Sequence, residues 1–207
     1  MATIAENIQT LRSIKSDIKN AIIQKGGSVT DAFGGYAQAI TNLPSGGGNE
    51  DLVNLIERDI TSFTIPDGTT KIGNHAFYEC SSLTDVTIGN SVTIIGYYAF
   101  TQCSKLSSVT IPNSVTNIGG NAFYFCSSLT DVTIGNGVTI ISPYAFNYCK
   151  KLTSITIEAT TPPTLSSSVF DNTNNCPIYV PAESVDAYKT ATNWSAYADR
   201  IQAIPTV

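Results

Sequence analysis

The stretch CSSLTDVTIGN occupies residues 80–90 and returns, letter for letter, at residues 126–136. A related stretch lies between the two copies, because a cysteine and the pair Ala-Phe recur every 23 residues. The cysteines of this series are Cys80, Cys103, Cys126 and Cys149, and the phenylalanines are Phe77, Phe100, Phe123 and Phe146. Self-similarity at a fixed period predicts a protein of short stacked coils. The identical copies indicate duplication of a two-coil block of 46 residues.

The repeat unit reads C-x-x-L-x-x-[VI]-x-I-[GP]-x-x-V-x-x-I-x-x-x-A-F-x-x, in four nearly complete copies and one incomplete first copy. Its Val and Ile lie two residues apart, which places both on one face of a short strand. One coil cannot bury its apolar side alone, whereas stacked coils share a continuous core. We therefore predict a mainly β repeat solenoid over residues 51–157, in which residues 51–59 lead into the first coil.

Composition and charge exclude several classes of function. The net charge is −5 and the pI is about 4.7, which argues against nucleic acid as a partner because phosphates require a basic face. No apolar run approaches the roughly 20 residues of a membrane-spanning helix, so we expect no membrane insertion. The first ten residues lack the basic start and apolar stretch of a secretory signal. We therefore expect a protein made in the cytoplasm without a signal peptide.

The four repeat cysteines share one position of a stack with about 4.8 Å between coils. Side chains in such a stack point the same way, which is a poor geometry for a disulfide, and a one-dimensional ladder cannot surround zinc tetrahedrally. We expect buried thiols that act as small apolar residues, and neither a metal site nor a cofactor. Cys176 lies outside the ladder, and we expect it to be structural, with the identity of any partner left open.

Helical patterns flank the repeats. Thr3-Ile-Ala-Glu6 is a capping box, followed by one apolar stripe at three- and four-residue steps, which consists of Ile4, Ile8, Leu11, Ile14, Ile18 and Ile22. Residues 1–43 are thus predicted to form a helical anchoring and oligomerisation module, too small to bury its stripe alone, which favours a homo-oligomer such as a trimer.

A Gly-rich linker is predicted over 44–50. Residues 158–207 are predicted to cap the stack, with a strand over 178–180 and a helical cap over 182–201.

The repeat resembles the BspA-like leucine-rich repeats, a 23-residue class with the pattern L-x-x-[VI]-x-[IL]-P-x-x-[VL]-x-x-I-x-x-x-A-F-x-x-C. The ending from Cys176 to Tyr188 is similar to the closing segment that often follows these repeats in gut-bacterial and phage sequences. This resemblance implies a leucine-rich-repeat solenoid used for adhesion or recognition at cell surfaces, with no fixed set of binding residues. Residues 14–26 and 36–40 resemble short helical modules of phage tail and fibre proteins of gut viruses.

The residues that could carry chemistry give little support to catalysis. His75 is the only histidine, and other residue types take its position in later copies, so a variable outward position explains it better. No second histidine can complete a serine or cysteine nucleophile arrangement. Asp85 and Asp131 fall on alternate coils, about 10 Å apart by strand spacing, and we interpret them as solvated surface. We expect no catalytic residue and no enzyme activity.

Two exposed surfaces are candidates for binding. One is a row of strand hydroxyls, which also suits an exposed pleat without any ligand; it consists of Thr61, Thr64, Thr84, Thr87, Ser107, Thr110, Thr130, Thr133, Thr153 and Thr156. The other is a set of aromatic side chains around each Ala-Phe pair, which offer rigid contact area for sugars or proteins, although some must pack between coils. We call this set the aromatic surface; it consists of Tyr78, Tyr97, Tyr98, Tyr124, Phe125, Tyr144 and Tyr148.

These features lead to a main hypothesis and an alternative. The main hypothesis is a non-enzymatic recognition protein of a phage or phage-like tail fibre, located in the virion. It presents the solenoid to a host surface glycan or protein and binds other tail proteins through residues 1–43. The alternative is a bacterial cell-surface or secreted adhesin, or a protein-interaction module of the BspA-like type.

Overall fold

Short parallel strands, two in each coil, build the described part of the molecule. The structure is a computed structural model that describes residues 60–65 and 68–206. The predicted helical module over 1–43, its apolar stripe from Ile4 to Ile22, the linker over 44–50 and the lead-in over 51–59 lie outside the described residues.

One side of each coil is a strand that begins two residues after the repeat leucine. These longer strands are β1 (Ser62–Thr64), β3 (Asp85–Thr87), β5 (Ser108–Ile111), β7 (Asp131–Ile134), β9 (Ser154–Ile157) and β11 (Ile178–Val180). The second side is a two-residue strand formed by the V-x-x-I part of the repeat. These shorter strands are β2 (Lys71–Ile72), β4 (Ile94–Ile95), β6 (Asn117–Ile118), β8 (Ile140–Ile141) and β10 (Thr164–Leu165).

The strands of successive coils pair in parallel. The short strands form one five-stranded sheet in the order β10-β8-β6-β4-β2. The long strands form two sheets, the pair β1-β3 and the order β12-β11-β9-β7-β5, in which β12 is Ile201–Ala203. Paired residues lie 23 positions apart, as in Val109 and Val132, except at β10, where one extra residue makes the step 24. The predicted repeat fold with parallel strands is confirmed.

The repeat positions stack in single file through the core. The phenylalanine rings from Phe77 to Phe146 lie parallel, with centroids of successive coils 4.8 to 5.1 Å apart. The stack continues at Phe170, whose ring lies 5.8 Å from Phe146 and 6.0 Å from Trp194. Burial of one such side chain contributes about 2 kcal/mol. Each coil is therefore stabilised by the coils on both sides of it.

The cysteines lie beside this stack, and all five are buried, which confirms the prediction. The Sγ atoms of Cys103, Cys126 and Cys149 each donate a hydrogen bond of 3.2 Å to a phenylalanine carbonyl of the preceding coil. Burial raises the pKa of Cys149 to about 12 and that of Cys126 well above its ordinary value. These thiols therefore stay protonated and have a structural role.

The C-terminal segment, predicted as a helical cap over 182–201, contains only short helices. It contains the short helix α1 (Val185–Thr190) between two 3-10 helices, Ala182–Ser184 and Trp194–Arg200. Helix formation stops before Asn193, which is left-handed with φ 63° and whose Nδ2 donates to the Leu165 carbonyl at 2.6 Å. The predicted strand over 178–180 is confirmed as β11, which pairs with β9. The capping role of the segment stays a prediction.

Candidate functional site

Two residues with left-handed backbone bracket each Ala-Phe segment, with φ between 56° and 62°. The pairs are His75 and Glu79, Tyr98 and Gln102, Asn121 and Phe125, Tyr144 and Tyr148, and, in the last coil, Ser168 and Asn172. This conformation turns their N–H groups toward the next coil, where Tyr98 donates to the Gly120 carbonyl at 3.0 Å and Gln102 to the Tyr124 carbonyl at 2.8 Å. Coil stacking therefore requires the left-handed backbone but does not require any particular side chain.

Aromatic residues occupy four of these left-handed positions, namely Tyr98, Phe125, Tyr144 and Tyr148. Such residues are disfavoured there because the Cβ atom crowds the backbone, whereas Asn, as at Asn121, tolerates the conformation. Tyr98, Phe125 and Tyr144 expose 38%, 40% and 44% of their surface. The left-handed backbone itself follows from coil stacking, but neither stacking nor core packing requires an exposed ring at these positions.

The structure brings the first part of the aromatic surface together around His75. The His75 ring lies 5.0 Å from Tyr98, stacked on it, and 5.7 Å from Tyr78. Tyr97 is 56% exposed and its ring lies over the next coil, where a Cβ atom on Gly120 would come within 3.2 Å of two ring carbons. His75 thus belongs to an aromatic cluster, which the sequence analysis missed because it interpreted His75 only as a variable outward position.

A second cluster forms two coils further on. The Phe125 and Tyr148 rings stack at 5.1 Å, and Tyr124 contacts them at 5.5 and 5.8 Å. Lys150 Nζ lies 5.4 Å from the centroid of the Tyr148 ring, which is within range of a cation–π contact. Tyr144 stacks on no other ring among the residues that the structure describes. The aromatic surface therefore comprises two ring clusters and two separate rings, Tyr97 and Tyr144.

The strand hydroxyls divide into two rows. The residues before each long strand bind the preceding coil, because Thr84, Ser107, Thr130 and Thr153 donate to the carbonyl 23 positions earlier at 2.8 to 3.3 Å. The other row lies on the outer face of the long strands, in register within each of the two sheets, and consists of Thr64, Thr87, Thr110, Thr133 and Thr156. The first row is therefore structural, and only the second offers its hydroxyls for contacts outside the chain.

A groove of about 690 Å³ opens on the long-strand face beside β3 and β5. Its lining contains hydroxyl, amide and carboxylate groups but no aromatic or basic side chain. The lining residues are Asp85, Val86, Thr87, Ile88, Asn90, Ser108, Val109, Thr110, Ile111, Pro112, Asn113, Ser114, Thr133 and Glu158.

The groove lies where the two long-strand sheets meet, since β3 and β5 share no ladder. In the next coil, the Gly135 N–H donates to the Ile111 carbonyl at 2.9 Å. Pro112 occupies the position of Gly135 in its own coil and has no N–H. The Ile88 carbonyl therefore cannot receive the equivalent bond, and the ladder is interrupted at this point.

Asp85 and Asp131 occupy equivalent positions with different surroundings. Asp131 Oδ1 accepts hydrogen bonds from Ser154 Oγ at 2.8 Å and Thr153 Oγ1 at 3.4 Å. The hydroxyls of Thr130 and Ser154 hold the pKa of Asp131 below its ordinary value, although partial burial acts in the opposite direction. Asp85 lines the groove instead. Both carboxylates are exposed, in agreement with our interpretation as solvated surface, but their hydrogen-bond partners differ.

A family model described as the BspA type leucine rich repeat region matches residues 56–177 in six copies. This chain belongs to the BspA-type leucine-rich repeat family. The match contains one copy more than the five found in the sequence, and it extends past Ile157 through the irregular stretch that includes Val169 and Phe170. Both residues are buried. They take the place of the Ala-Phe pair but lie 24 residues, instead of 23, after Ala145 and Phe146.

Three solved structures are similar to this BspA-type chain. The T. pallidum leucine rich repeat protein has a TM-score of 0.56 and 26% identity over 62% of this chain and 61% of that chain. The pneumococcal vaccine antigen PcpA has a TM-score of 0.46 and 16% identity over 72% and 42%. A leucine rich cell surface protein from Faecalibacterium prausnitzii has a TM-score of 0.37 and 20% identity over 71% and 60%. The chain thus spans less than two thirds of each of these proteins. No curated protein matched it.

The described BspA-type coils hold neither a metal-binding cluster nor a membrane-spanning helix. Within residues 60–65 and 68–206, no three side chains of His, Cys, Asp or Glu are placed to hold a metal ion. No helix in those ranges is long and apolar enough to cross a membrane. The groove was missed from the sequence, although the alternation of Gly89, Pro112 and Gly135 after successive strands was a signal for it.

Proposed function

We propose that this chain is a non-enzymatic recognition and adhesion module of the BspA type at a bacterial cell surface. Its aromatic surface binds a glycan or a protein of the host. The observation that carries the proposal is the exposure of Tyr98, Phe125 and Tyr144 at backbone positions that disfavour aromatic residues. Membership of the BspA-type family supports it, because this resemblance implies recognition rather than catalysis.

The presentation of these rings suits binding. Tyr has a large contact area and only two side-chain torsions, so little conformational entropy is lost when it is immobilised. Hydrogen bonds to the next coil fix the backbone at Tyr98, and stacking on His75 fixes its ring. A pre-organised aromatic side chain is a typical source of binding energy at protein interfaces.

The tail-fibre hypothesis is not part of this proposal. It depends on residues 1–43, which lie outside the described residues, and neither the family match nor the similar structures support a phage component. The family match favours the alternative, a leucine-rich repeat protein of the bacterial surface type. Binding of other virion proteins and location in a virion are therefore not proposed. Homo-oligomerisation through residues 1–43 stays a prediction.

The experiment is a binding screen of the full chain against a glycan array and a panel of host extracellular-matrix proteins, followed by Tyr98→Asn and Tyr144→Asn. Asn is the residue that the chain itself uses at the equivalent position 121, so these variants should stay folded. We expect binding of the screened ligand to weaken by about tenfold or more, as for an interface hot spot.

Ile140→Ala is the matched control. Ile140 lies in the same coil as Tyr144 and is 40% exposed, against 44% for Tyr144, but it lies on the short-strand sheet. We expect this variant to bind like the unchanged protein. If Tyr98→Asn and Tyr144→Asn also bind unchanged, the aromatic surface is scaffold and the proposal is wrong.

A further inference from the structure

We propose that a slot between Tyr98 and Tyr144, above Asn121, binds one neutral pyranose ring of a glycan, sandwiched between the two tyrosine rings. The inference rests on the proposed function and deepens it, because it names the part of the aromatic surface that binds and the class of ligand that it takes. The three residues of the slot occupy the same position in three successive coils.

The three side chains of the slot leave the backbone in the same direction. Tyr98, Asn121 and Tyr144 have φ angles of 57°, 56° and 60°. The N–H groups of Tyr98 and Asn121 each donate, at 3.0 Å, to the carbonyl that precedes the next member of the series. A shared left-handed conformation and a shared register make the Cα–Cβ bonds nearly parallel. The side chains therefore form one column along the stack, with about 4.8 Å between members.

The first members of this column show that rings stack in it. His75 precedes Tyr98 in the column, and the two rings lie 5.0 Å apart with 6° between their planes. Because His75 covers one face of Tyr98, the 38% of Tyr98 that stays exposed belongs to its edges and to the face toward Asn121. Tyr144 is 44% exposed and stacks on no ring among the residues that the structure describes. Asn121 is thus the one position between His75 and Tyr144 at which the column lacks a ring.

The gap at Asn121 has the height of one sugar ring. Two coils at about 4.8 Å each separate the backbones of Tyr98 and Tyr144 by about 10 Å. Carbon atoms in contact lie about 3.5 to 4.0 Å apart, so a flat ring fills only about 7 to 8 Å between two faces. A pyranose ring is thicker, because C–H groups project from both of its faces, and the negative face of an aromatic ring attracts such groups. The spacing therefore favours a pyranose over a flat aromatic group.

The polar group in the slot favours a ligand with hydroxyl groups. Within residues 60–65 and 68–206, no hydrogen bond joins the side-chain amide of Asn121 to another group. This amide donates through Nδ2 and accepts through Oδ1, so it can bind a sugar hydroxyl in either role. Tyr97 adds a third ring beside the slot, where it lies over Gly120. Apolar faces with one well-placed polar group are typical of small-ligand sites, and the absence of a charge among these residues favours a neutral sugar.

The experiment titrates the full chain with the methyl pyranosides of glucose, galactose, mannose and N-acetylglucosamine. Binding is followed by the NMR signal of the Asn121 side-chain amide and by saturation transfer to the sugar. We expect saturable binding of at least one pyranoside in the millimolar range, as for other ligands of this size. Tyr98→Asn and Tyr144→Asn should each weaken it about three- to tenfold, because each removes one stacking face.

Asn121→Tyr tests the gap itself. The chain already places tyrosine on the same left-handed backbone at 98 and 144, so this variant should stay folded, as circular dichroism would show. Its ring completes the column and fills the slot, and we expect pyranoside binding to weaken by at least about tenfold. Gln102→Tyr is the matched control, because Gln102 is also exposed and left-handed but lies outside the slot. This control should bind like the unchanged protein.

The inference is overturned if none of the pyranosides shifts the Asn121 amide signal, or if Asn121→Tyr weakens binding no more than Gln102→Tyr. It is also overturned if only a flat aromatic probe, N-acetyltryptophanamide, binds and is displaced by Asn121→Tyr. The proposed function fails on a different result, because it requires only that some screened ligand loses affinity in Tyr98→Asn and Tyr144→Asn. A protein ligand with that behaviour, together with no pyranoside binding, would keep the proposed function and reject the sugar slot.

Discussion

The two copies of CSSLTDVTIGN, residues 80–90 and 126–136, are identical in sequence but not in structure. In the first copy, β3 ends at Thr87 and pairs only with β1. In the second, β7 extends to Ile134 and pairs with strands on both sides. The carboxylate of the first copy, Asp85, lines a groove, whereas that of the second accepts two hydroxyl groups.

The difference between the copies comes from the coil that follows each of them. Pro112 follows the strand after the first copy, and Glu158 follows the strand after the second. Glu158 donates its N–H to the Ile134 carbonyl at 2.9 Å, which proline cannot do for Ile88. The interior positions are alike, since Leu83 and Leu129 are both fully buried. In a stacked protein, the sequence of a coil thus determines which of its side chains are buried. The residues of the neighbouring coil determine which of its exposed groups are hydrogen-bonded.

The largest expected effect tests the similarity of the two interiors. Cys80 and Cys126 are both buried, and burial raises the pKa of Cys126 well above its ordinary value. The thiolate is the reactive species, so we expect both thiols to react with an aromatic disulfide at least about a thousandfold more slowly than in the unfolded chain. Mass spectrometry after labelling, with and without urea, measures this. Rapid labelling of either cysteine in the folded protein would contradict it.

A smaller effect in the same comparison is the cost of a cavity. Leu83→Ala and Leu129→Ala each remove a fully buried side chain, and we expect each to lower the free energy of unfolding by about 3 kcal/mol. Urea denaturation followed by circular dichroism measures it, with the exposed Ile94→Ala as the control. A loss at Leu83 below about 1 kcal/mol would show that the interior of the first copy is loosely packed.

The third prediction concerns the interrupted ladder. Thr110 in β5 and Thr133 in β7 are equivalent residues that are paired with each other. The strand of Thr133 pairs with β5 in the preceding coil, whereas the strand of Thr110 does not pair with β3. We expect the Thr110 amide to exchange with solvent about fivefold faster, which corresponds to the loss of roughly one hydrogen bond. Hydrogen exchange by NMR measures it, and Pro112→Ala should remove the difference. Equal rates in the unchanged protein would mean that β3 and β5 are paired in solution.

The smallest effect separates the two carboxylates by pH. The folded pKa of Asp131 is lowered by hydroxyl groups, so its contribution is present above the ordinary carboxyl pKa and is lost as the pH falls through the lowered value. We expect Asp131→Asn to lower the free energy of unfolding at pH 7 by a few tenths of a kcal/mol, because the group is exposed, and this effect to shrink as the pH falls through the lowered pKa. Asp85→Asn is the control, because no hydroxyl group donates to Asp85 within residues 60–65 and 68–206. Identical pH profiles for the two variants would contradict the difference in their surroundings.

The sequence was sufficient to predict the coil, because each buried position carries the same constraint in every copy. Leu, Val, Ile, Phe and Cys recur where a stack allows only one size and polarity, and the strands follow from their spacing of two. The last coil and the C-terminal segment were harder to predict. One extra residue shifts Val169 and Phe170 out of phase, and Asn193 forms a left-handed turn and binds Leu165 instead of continuing a helix.

The sites were less predictable than the coil for a related reason. Periodicity identifies positions that face outward, but it does not show which rings meet across coils. His75 and Tyr98 stack because their left-handed backbones lie in register, and no local pattern of tyrosines indicates a left-handed residue. The groove depends on a hydrogen bond that is missing between residues 24 positions apart, Ile88 and Pro112, and only the register of the coils brings these two together.

The sequence by itself determined the period, the interior of each coil and the burial of the cysteines, because those properties repeat and each is enforced by contact with an identical neighbour. The tertiary structure decided the rest: where the ladder is interrupted, which hydroxyls are used by the backbone, and how the rings of the aromatic surface cluster. These properties depend on pairs of residues in different coils that are not alike. Two identical stretches can therefore fold into the same core and still present different surfaces.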